Sequence, residues 1–578
     1  MVKLKIDGQN VNVPAGTTIM DAADKLGIKI PHLCYLKGIN DIAACKICVV
    51  ENVGTQRLIS SCNTMAEDGM DILTNSTRVR RAREINVKLI LSQHDCVCAT
   101  CVRSGNCELQ RVANDMGILH FKYHMNVERN KWDYHLPLIR DASKCIKCMR
   151  CIQTCDKIQN MHVWDLNGSG PHVTVGVSEG DDLMDTDCTL CGQCITHCPV
   201  GALRERDDID DMWDALADPD KITIVQVAPA VRTAWGEGIG LSHRKATLGR
   251  MVNGLRQLGF DYIFDTNFSA DLTIMEEGSE FLERFTHHDD YKWPMFTSCC
   301  PGWIRFAKTQ YPDMVGQLST AKSPQQMFGS MIKTYVASKL KVDPNKIFSV
   351  SIMPCTAKKY ERSVKQVNDA GRGNDVDLVL TTREVSRMMR ANHVNPDKLK
   401  DEPFDDIFGE GSGAAVIFGA TGGVMEAALR SAYFLLTKEN PDPDAFKEVR
   451  GIRGWKEAKF DIKGTPVRVA VASGLGNTRS LIEAIRNKEV EYDFVEIMAC
   501  PGGCSGGGGQ PIQEGREMAE SRGKILYGLD KVNDLRFSHE NSAVQLSYEE
   551  FLGEPLSAKA HKLLHTDLKK WDLDVREE

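Results

Sequence analysis

Two cysteines near the end of the chain stand in a setting that favours an inorganic cofactor. Residues 498–509 read MACPGGCSGGGG, so Cys500 and Cys504 lie close together in a glycine-rich run. Glycine lets the backbone approach a bulky group closely, and exposed backbone N–H groups donate to sulfide or thiolate. The preceding run, 492–497, is apolar and predicts a buried strand. We therefore expect a metal cluster at the end of this strand, with further thiolates supplied from elsewhere in the chain.

Two cysteine runs in the middle of the chain carry the most specific signal. Each has the spacing C-x2-C-x2-C-x3-C. Bacterial two-cluster ferredoxins have this spacing, and the fourth cysteine of each run ligates the other cluster. We therefore predict two 4Fe–4S clusters, one held by Cys145, Cys148, Cys151 and Cys198 and the other by Cys188, Cys191, Cys194 and Cys155. Zinc is the alternative for such thiolates.

Two further sets of metal ligands precede these runs. The first set is Cys34, Cys45, Cys48 and Cys62, a C-x2-C pair flanked by two distant cysteines, which predicts a 2Fe–2S cluster. A four-thiolate zinc site is the alternative. The second set is His94, Cys98, Cys101 and Cys107, and its imidazole and thiolates suit either zinc or a 4Fe–4S cluster. Cys96 falls between these ligands and is predicted to be a spare thiol.

The totals of the sequence exclude several classes of protein. A chain of 578 residues is expected to form several domains. Its 21 cysteines occur without a secretory signal, so we expect a cytoplasmic protein with metal-bound thiols rather than disulfides. No apolar run is long enough to span a membrane. The net charge of −8 argues against a nucleic-acid partner.

The pattern of elements explains how distant cysteines meet. Residues 2–13 predict a hairpin that turns at Asp7-Gly8, and residues 18–26 predict a short helix. After residue 210, apolar runs alternate with helical ones, which predicts βα units with parallel sheets flanked by helices. The predicted strands are 222–228, 262–264, 347–353, 376–380, 414–418, 467–472 and 493–498. Ligands bind beyond the carboxyl ends of such strands, where Cys300, Cys355 and Cys500 all stand.

Three segments resemble the signature sequences of the iron-only (di-iron) hydrogenases. They are TSCCPGW at 297–303, MPCTAKKYE at 353–361 and MACPGGC at 498–504. The N-terminal half is similar to that of the long clostridial-type monomers. The resemblance implies a multidomain α/β and α+β protein. Its domains would be a β-grasp 2Fe–2S ferredoxin-like domain (1–78), a small His/Cys3 cluster domain (79–126), a bacterial two-cluster 4Fe–4S ferredoxin domain (127–209) and an H-cluster catalytic domain (210–578).

The same resemblance implies the principal cofactor. In this family a 4Fe–4S cubane is bridged by one cysteine to a di-iron unit that carries carbon monoxide, cyanide and an azadithiolate, and the whole is the H-cluster. Here Cys300, Cys355, Cys500 and Cys504 would hold the cubane, and Cys504 would form the bridge. Three accessory 4Fe–4S clusters and one 2Fe–2S cluster would complete the set. Maturation factors would be needed to build the di-iron half.

The resemblance also implies a proton relay and a pocket. The relay would consist of Cys299, Glu277, Ser319, Glu280 and Arg284, although a free cysteine is by default a structural thiol and an acidic helix a solvated face. Lys358 would donate to a cyanide ligand. The pocket positions are Pro229, Ala230, Ser323, Pro324, Gln325, Met353, Phe418 and Met498, for which ordinary core packing is the alternative.

The implied reaction is the reversible reduction of protons to dihydrogen, with ferredoxin or flavodoxin as the electron partner. A basic patch of Arg78, Arg80, Arg81 and Arg83, together with Lys144, Lys147 and Arg150, is expected to receive this partner. One alternative is a catalytic subunit of an NADH-linked, electron-bifurcating complex, and partner subunits would then carry the flavin and nucleotide sites. Another is a non-catalytic iron–sulfur sensor or assembly protein. His561 and His565, one helical turn apart, are predicted to form a solvated helix face rather than a zinc pair.

Overall fold

The computed structural model describes residues 1–127, 129, 131–180, 182–409, 411–462, 464–513 and 517–574. The chain begins with a five-stranded sheet in the order β2-β1-β5-β3-β4. Its strands are β1 (Val2–Ile6), β2 (Gln9–Val13), β3 (Val49–Asn52), β4 (Arg57–Ser60) and β5 (Asp71–Leu73). β1 and β2 form the predicted antiparallel hairpin. Helix α1 (Ile19–Lys25) begins after Thr18, whose hydroxyl accepts from the Asp21 N–H, so the predicted helix is confirmed.

Four helices and a pair of small sheets follow. The helices are α2 (Thr77–Leu91), α3 (Glu108–Asp115), α4 (Arg150–Thr154) and α5 (Gln193–Thr196). The strands are β6 (Leu138–Arg140), β7 (Trp164–Asn167), β8 (Thr174–Val177) and β9 (Leu203–Glu205), in which β6 pairs with β9 and β7 with β8, both antiparallel. α4 carries Cys151 and α5 carries Cys194, so each short helix places the third cysteine of its run.

Two residues of the expected basic patch are buried. Arg83 lies on the inner face of α2, and its guanidinium donates to the Val49 carbonyl oxygen. Arg150 forms a bidentate ion pair with Glu108, with N–O distances of 2.9 Å. Because a buried guanidinium needs such partners, neither residue can present its charge to another protein. That part of the predicted patch is wrong.

The remaining strands form two four-stranded sheets. They are β10 (Ile222–Val227), β11 (Tyr262–Asp265), β12 (Met295–Phe296), β13 (Ile347–Met353), β14 (Leu378–Thr381), β15 (Trp455–Ile462), β16 (Thr465–Ser473) and β17 (Phe494–Met498). The first sheet is wholly parallel, in the order β11-β10-β13-β14. The second has the order β12-β17-β16-β15 and is parallel except for its edge strand β15. The predicted parallel sheets are therefore present, and the antiparallel edge strand was not predicted.

Helices cover these sheets and bury their apolar strands. They are α6 (Ile209–Ala217), α7 (Leu248–Leu258), α8 (Asn267–Thr286), α9 (Pro301–Gln310), α10 (Pro324–Met331), α11 (Ala337–Leu340), α12 (Ala357–Glu361), α13 (Thr382–Ala391), α14 (Gly413–Ile417), α15 (Gly423–Thr437), α16 (Leu475–Arg486), α17 (Ala519–Val532), α18 (Ser542–Ser547) and α19 (Ala558–Leu564). α8 packs against both α10 and α15 and is buried along most of its length. In the described part of the chain, no helix combines the length and apolar character that crossing a membrane requires.

One predicted strand is a helix. Residues 414–417 of the run AAVIF lie in α14 and Phe418 stands at its C-cap, and the Ser412 hydroxyl caps the other end by accepting from the Ala415 N–H. The residues of α14 are buried on every side, so the run shows no polar face. A short apolar run without periodicity fits a buried helix as well as a buried strand, which explains the error.

Candidate functional site

The four N-terminal cysteines meet beside the first sheet. The sulfur atoms of Cys48 and Cys62 lie 3.3 Å apart. A hydrogen bond between the Cys34 and Cys45 thiols raises the pKa of Cys34 and lowers that of Cys45 to about 5. Thiolate is the form that binds metal, so this donor set suits an iron–sulfur cluster.

The His94 set contacts the segment that begins the first cysteine run. His94 is buried, and its Nδ1 is 3.0 Å from the Lys144 carbonyl oxygen. When Nδ1–H donates to that carbonyl, Nε2 is the free ligand atom, as is usual for metal-binding histidines. Gly201 lies against the Cys101 sulfur. A Cβ at position 201 would stand 2.6 Å from Cys101 Sγ and would collide with it, so glycine makes room for this ligand atom. Cys96 is exposed, with its sulfur 3.4 Å from the His94 carbonyl oxygen.

The two ferredoxin-type runs line two separate cavities, and each cavity takes one cysteine from the other run. Cys145, Cys148, Cys151 and Cys198 line the first cavity. Cys155, Cys188, Cys191 and Cys194 line the second. The remaining walls are mostly apolar, and they include Trp164 in both cavities. The structure thus groups these cysteines in the crossed sets that the spacing predicts.

The second cavity adjoins the C-terminal cysteines. Cys500 Sγ is 3.7 Å from the carbonyl oxygen of Cys191. The Gln159 amide donates to both the Cys191 sulfur, at 3.6 Å, and the Ala499 carbonyl oxygen, at 2.9 Å. The Thr356 hydroxyl donates to the Leu190 carbonyl oxygen at 2.6 Å. These contacts fix the ferredoxin-like unit against the cysteine-bearing loops of the sheets.

Cys300, Cys355, Cys500 and Cys504 converge where strands of both sheets end. Cys300 caps α9 after β12, Cys355 follows β13, and Cys500 and Cys504 follow β17. The Ala499 N–H, next to Cys500, donates to the Cys300 sulfur at 3.5 Å. Burial raises the pKa of the Cys355 thiol, and the charges of Cys300 and Cys504 raise it further. Burial also raises the pKa of Cys504 to about 12. A cationic iron cluster reverses this effect and makes thiolates the stable form.

Glycines give these loops their path. Gly502 and Gly503 adopt positive φ angles of 76° and 75°. A Cβ on Gly507 would lie 2.0 Å from the Pro354 carbonyl oxygen, and one on Gly508 would lie 2.3 Å from that of Cys191. No other residue type fits these positions without moving backbone, so the glycine run brings the Cys504 loop against the Cys355 loop and the second cavity.

The residues of the predicted relay lie together on and beside α8. The Ser319 hydroxyl donates to Glu280 Oε2 at 2.8 Å, and Arg284 Nη2 donates to Glu280 Oε1 at 2.5 Å. Glu277, one turn earlier on the same face, is fully buried. The interpretation of this helix as a solvated acidic face is therefore wrong, because both carboxyl groups and Arg284 are buried.

Glu277 and Cys299 share one buried environment. Burial, together with the charge of Glu280, raises the pKa of Glu277 to about 8. Burial and the Glu277 charge raise the pKa of the Cys299 thiol well above its usual value. The nearby Ser319 hydroxyl and Ser298 N–H act in the opposite direction and favour the ionised form of Glu277. Neither Glu277 carboxyl oxygen, however, meets the distance and angle of a hydrogen bond with a described residue. A buried, unpaired carboxyl group beside a buried thiol is suited to accepting and releasing a proton near neutral pH.

Lys358 is held by Glu361, which the sequence did not single out. Lys358 Nζ donates to Glu361 Oε2 at 2.8 Å and to the Cys299 carbonyl oxygen at 3.1 Å. Burial opposes the charge of this lysine, but the Glu361 carboxylate outweighs burial and raises the pKa of Lys358. The same Glu361 oxygen accepts from Ser323 at 2.9 Å and from Gln325 at 3.0 Å. The K-x-x-E spacing within MPCTAKKYE is the only signal that could have identified Glu361.

The other expected pocket residues occupy the ends of the same elements. Pro229 and Ala230 follow β10, Pro324 begins α10, Met353 and Met498 end β13 and β17, and Phe418 follows α14. All are buried except Pro324, which is partly exposed. Gly419 brings α14 against Ala230, because a Cβ there would lie 3.0 Å from the Ala230 Cβ. These side chains form apolar walls near the four converging cysteines.

Among the described residues, no three His, Cys, Asp or Glu side chains are close enough to hold a single metal ion. The cysteine sets described above supply thiolates, with one imidazole from His94, and these are ligands that iron–sulfur clusters take. The number, type and grouping of these donors fit iron–sulfur clusters.

Comparison with known families accounts for nearly the whole chain. Residues 221–508 match the model of the iron only hydrogenase large subunit, C-terminal domain, and 516–571 match that of the iron hydrogenase small subunit. Residues 1–77 match a 2Fe-2S iron-sulfur cluster binding domain. Residues 83–121 match the NADH-ubiquinone oxidoreductase-G iron-sulfur binding region, and 137–204 match the NADH-quinone oxidoreductase subunit 3, ferredoxin-like domain.

Several individual proteins are similar over long stretches. The NADP-reducing hydrogenase subunit HndD of Solidesulfovibrio fructosivorans is 46% identical over 98% of both chains. Iron hydrogenase 1 of Clostridium pasteurianum is 39% identical over 99% of this chain and 100% of its own. The structure of a cysteine-to-histidine variant of apo [FeFe]-hydrogenase HydA1 from Chlamydomonas reinhardtii superposes with a TM-score of 0.57 at 43% identity, covering 62% of this chain and 98% of that one.

Proposed function

The chain belongs to the iron-only hydrogenase family, and we propose that it reversibly reduces protons to dihydrogen at an H-cluster held by Cys300, Cys355, Cys500 and Cys504. As a member of this family it is an oxidoreductase that acts on dihydrogen. One observation carries the proposal: the four cysteines converge at strand ends, and Cys299, Glu277 and Glu280 are buried beside them. When bound, the H-cluster supplies the redox chemistry that joins protons and electrons.

The chain's own residues would position the cluster and handle protons. Lys358, held by Glu361, would present a charge-assisted donor to an anionic ligand of the di-iron unit. The apolar walls at Met353, Phe418 and Met498 would exclude water. Cys299 would exchange protons with Glu277, and Ser319, Glu280 and Arg284 would carry them toward the surface.

Electrons would reach the site through the clusters that the cysteine sets hold. We propose four units, 1–78, 79–126, 127–209 and 210–578, carrying in turn a 2Fe–2S cluster, the His94 4Fe–4S cluster, two ferredoxin-type 4Fe–4S clusters and the H-cluster. The contact of Cys500 with the Cys191 carbonyl supports the last step of this order, because it brings the second cavity beside the catalytic cysteines. The matches to separate iron–sulfur domains fall within the proposed units.

Dihydrogen formation tests the proposal directly. Protein matured anaerobically is expected to evolve dihydrogen with reduced viologen or ferredoxin. Cys299→Ser should keep its iron content and lose most turnover, because a serine hydroxyl is a far weaker acid than a thiol and exchanges its proton less readily. Cys96→Ser is the matched control, since Cys96 is exposed, and it should behave as the wild type. Full activity in Cys299→Ser would remove Cys299 from the relay, and an inactive wild type would remove the function.

A second candidate concerns the electron partner. HndD is named as a subunit of an NADP-reducing hydrogenase and matches 98% of this chain. We therefore also consider a catalytic subunit of a nucleotide-linked complex, in which partner subunits would bind the nucleotide. Purification of the tagged chain from its source under anaerobic conditions distinguishes the two. Stable co-purifying subunits and nicotinamide reduction by dihydrogen would favour the complex, whereas a lone chain that reduces only ferredoxin or flavodoxin would favour the simple enzyme.

A further inference from the structure

The ring of His565 is buried, contrary to the predicted solvated face. Of this pair only His561 is exposed to solvent, and the relative solvent-accessible area of His565 is 5%. The two rings contact each other with centroids 4.3 Å apart. His565 lies just beyond α19, and its backbone pairs with that of Ala321. A buried imidazole without a metal must find polar partners in the protein.

Both ring nitrogens of His565 have such partners. Nδ1 is 2.8 Å from the Thr320 hydroxyl, and Nε2 is 3.0 Å from Glu276 Oε2. The fully buried Glu276 also accepts from the Leu556 N–H, at 2.9 Å, and from the Tyr548 hydroxyl. Because Glu276 serves all three donors as an acceptor, Nε2 carries the hydrogen and Nδ1 is the basic position of the ring.

Thr320 connects this ring to the proposed relay. Its hydroxyl is 3.1 Å from Glu280 Oε1, and its backbone N–H donates to both Glu280 oxygens at 3.0 and 3.1 Å. A hydroxyl group has one hydrogen to donate and two lone pairs. The Thr320 hydroxyl therefore stands between two acceptors, the Glu280 carboxylate and His565 Nδ1, and can accept from one while it donates to the other.

We propose that His565 holds a proton beside the relay and exchanges it with Glu280 through Thr320. A proton on Glu280 passes to Thr320 Oγ1 while the hydroxyl's own proton passes to His565 Nδ1. The O–H bond of Glu280 breaks, an N–H bond forms on His565, and Thr320 ends as a hydroxyl that donates to the Glu280 carboxylate. No electrons move, and the imidazolium is paired with Glu276. This inference rests on the proposed role of Glu280 in proton transfer.

The charged and titratable groups around the ring favour this exchange. Glu276 and Glu280 face it from α8, the Tyr548 hydroxyl lies beyond Glu276, and the His561 ring covers its outer side. Arg284 is paired with Glu280. An anionic Glu280 therefore stabilises a cationic His565, and a protonated Glu280 does not. Thr320 and His565 are positioning residues, because they act on the reaction only through Glu280.

Nitrogen-15 spectra of the matured protein, labelled at histidine, test the exchange without relying on turnover. His565→Gln identifies the His565 signals. We expect Nε2 to stay protonated and Nδ1 to gain a proton as the pH is lowered from 9 to 5. Glu280→Gln removes the neighbouring negative charge and should lower the midpoint by about one pH unit. An Nδ1 that stays unprotonated throughout, or a midpoint unchanged in Glu280→Gln, would overturn the proposal.

Thr320→Val provides the kinetic test, because it removes the hydroxyl and keeps the backbone N–H bonds to Glu280. We expect the pH profile of dihydrogen evolution to move by about one unit and the solvent isotope effect to change. His561→Gln is the matched control, since the only ring or polar contact of the His561 side chain within the described part of the chain is that with the His565 ring, and its profile should equal the wild type. A wild-type profile and isotope effect in Thr320→Val would refute the exchange. A wild type that makes no dihydrogen would refute the proposed function, whatever the histidine spectra show.

Discussion

Glu277 is fully buried, and among the described residues neither of its carboxyl oxygens has a hydrogen bond. Burial raises its pKa from the ordinary 4.5 to about 8, so the protonated form is the stable one in the folded protein at neutral pH. The folded state then binds more protons than the unfolded state between these values, so this group lowers the free energy of unfolding as the pH rises through that window.

Glu277→Gln should remove this pH dependence. The amide is neutral and of similar size, so the variant should gain stability over the wild type as the pH is raised from 5 to 8, by about 4 kcal/mol at most. Anaerobic denaturant titrations of both proteins at several pH values measure the difference. A constant difference across this range would show that Glu277 is not held protonated. Turnover should fall strongly in the same variant, since an amide cannot pass on a proton.

Glu361 stabilises the buried Lys358 ammonium and two pocket side chains. Glu361→Ala would leave this cation without its ion-pair partner, so we expect a loss of about 3–5 kcal/mol in the free energy of unfolding. Glu520→Ala is a matched control, because Glu520 pairs with Lys524 on the exposed face of α17 and should cost far less stability than Glu361→Ala. Equal losses in the two variants would contradict the role given to Glu361.

At the scale of elements, the glycine loop after β17 depends on close backbone contact. Gly508→Ala would force a methyl group to within 2.3 Å of the Cys191 carbonyl oxygen. We expect it to loosen the contact between the second cavity and the catalytic loops, with a loss of about 2 kcal/mol or more and less iron per chain. Gly528→Ala in α17 has open space around its Cβ and should stabilise the helix by about 1 kcal/mol. Iron content and denaturation midpoints measure both effects.

Arg383 at the start of α13 joins three segments. Its guanidinium donates to Glu205 Oε2 at 2.6 Å and to the carbonyl oxygens of Gly508 and Gln510, each at 2.7 Å. Although burial opposes it, the charges of Arg383 and Arg387 hold the pKa of Glu205 well below its usual value. This network ties β9 of the ferredoxin-like unit to the loop that carries Cys504.

Arg383→Ala should therefore weaken the contact between β9 and the loop that carries Cys504. We expect it to cost about 3–5 kcal/mol in the free energy of unfolding, because Glu205 loses its strongest partner. Arg383→Lys should recover only part of this loss, since an ammonium lacks the planar fork. Arg390→Ala, on the exposed end of the same helix, serves as the control, since its bond to the Gly238 carbonyl oxygen is 3.4 Å long. A stable Arg383→Ala protein would show that the other interface contacts suffice.

At the scale of the whole molecule, the sequence predicted what depends on local spacing. The cysteine runs, the hairpin at 2–13 and most strand ends follow from short patterns, and the structure contains them. The roles of Thr320 and His565 could not be predicted, because they arise from contacts between segments distant in the chain, and for Glu361 the K-x-x-E spacing was the only local signal. The burial of Arg83 and Arg150 was missed for the same reason, since nothing near them in sequence marks Val49 or Glu108 as their partners.

The cysteine sets follow one another from the N-terminal sheet to the strand ends of the C-terminal sheets, and tight contacts join the last two units. The account depends on one claim, that the four converging cysteines hold an iron cubane with a di-iron unit attached through Cys504. An infrared spectrum of the anaerobically matured protein tests this most directly. We predict bands of metal-bound carbon monoxide and cyanide in the wild type, and their loss in Cys504→Ala. A matured protein with its full complement of accessory iron and no such bands would contradict the claim.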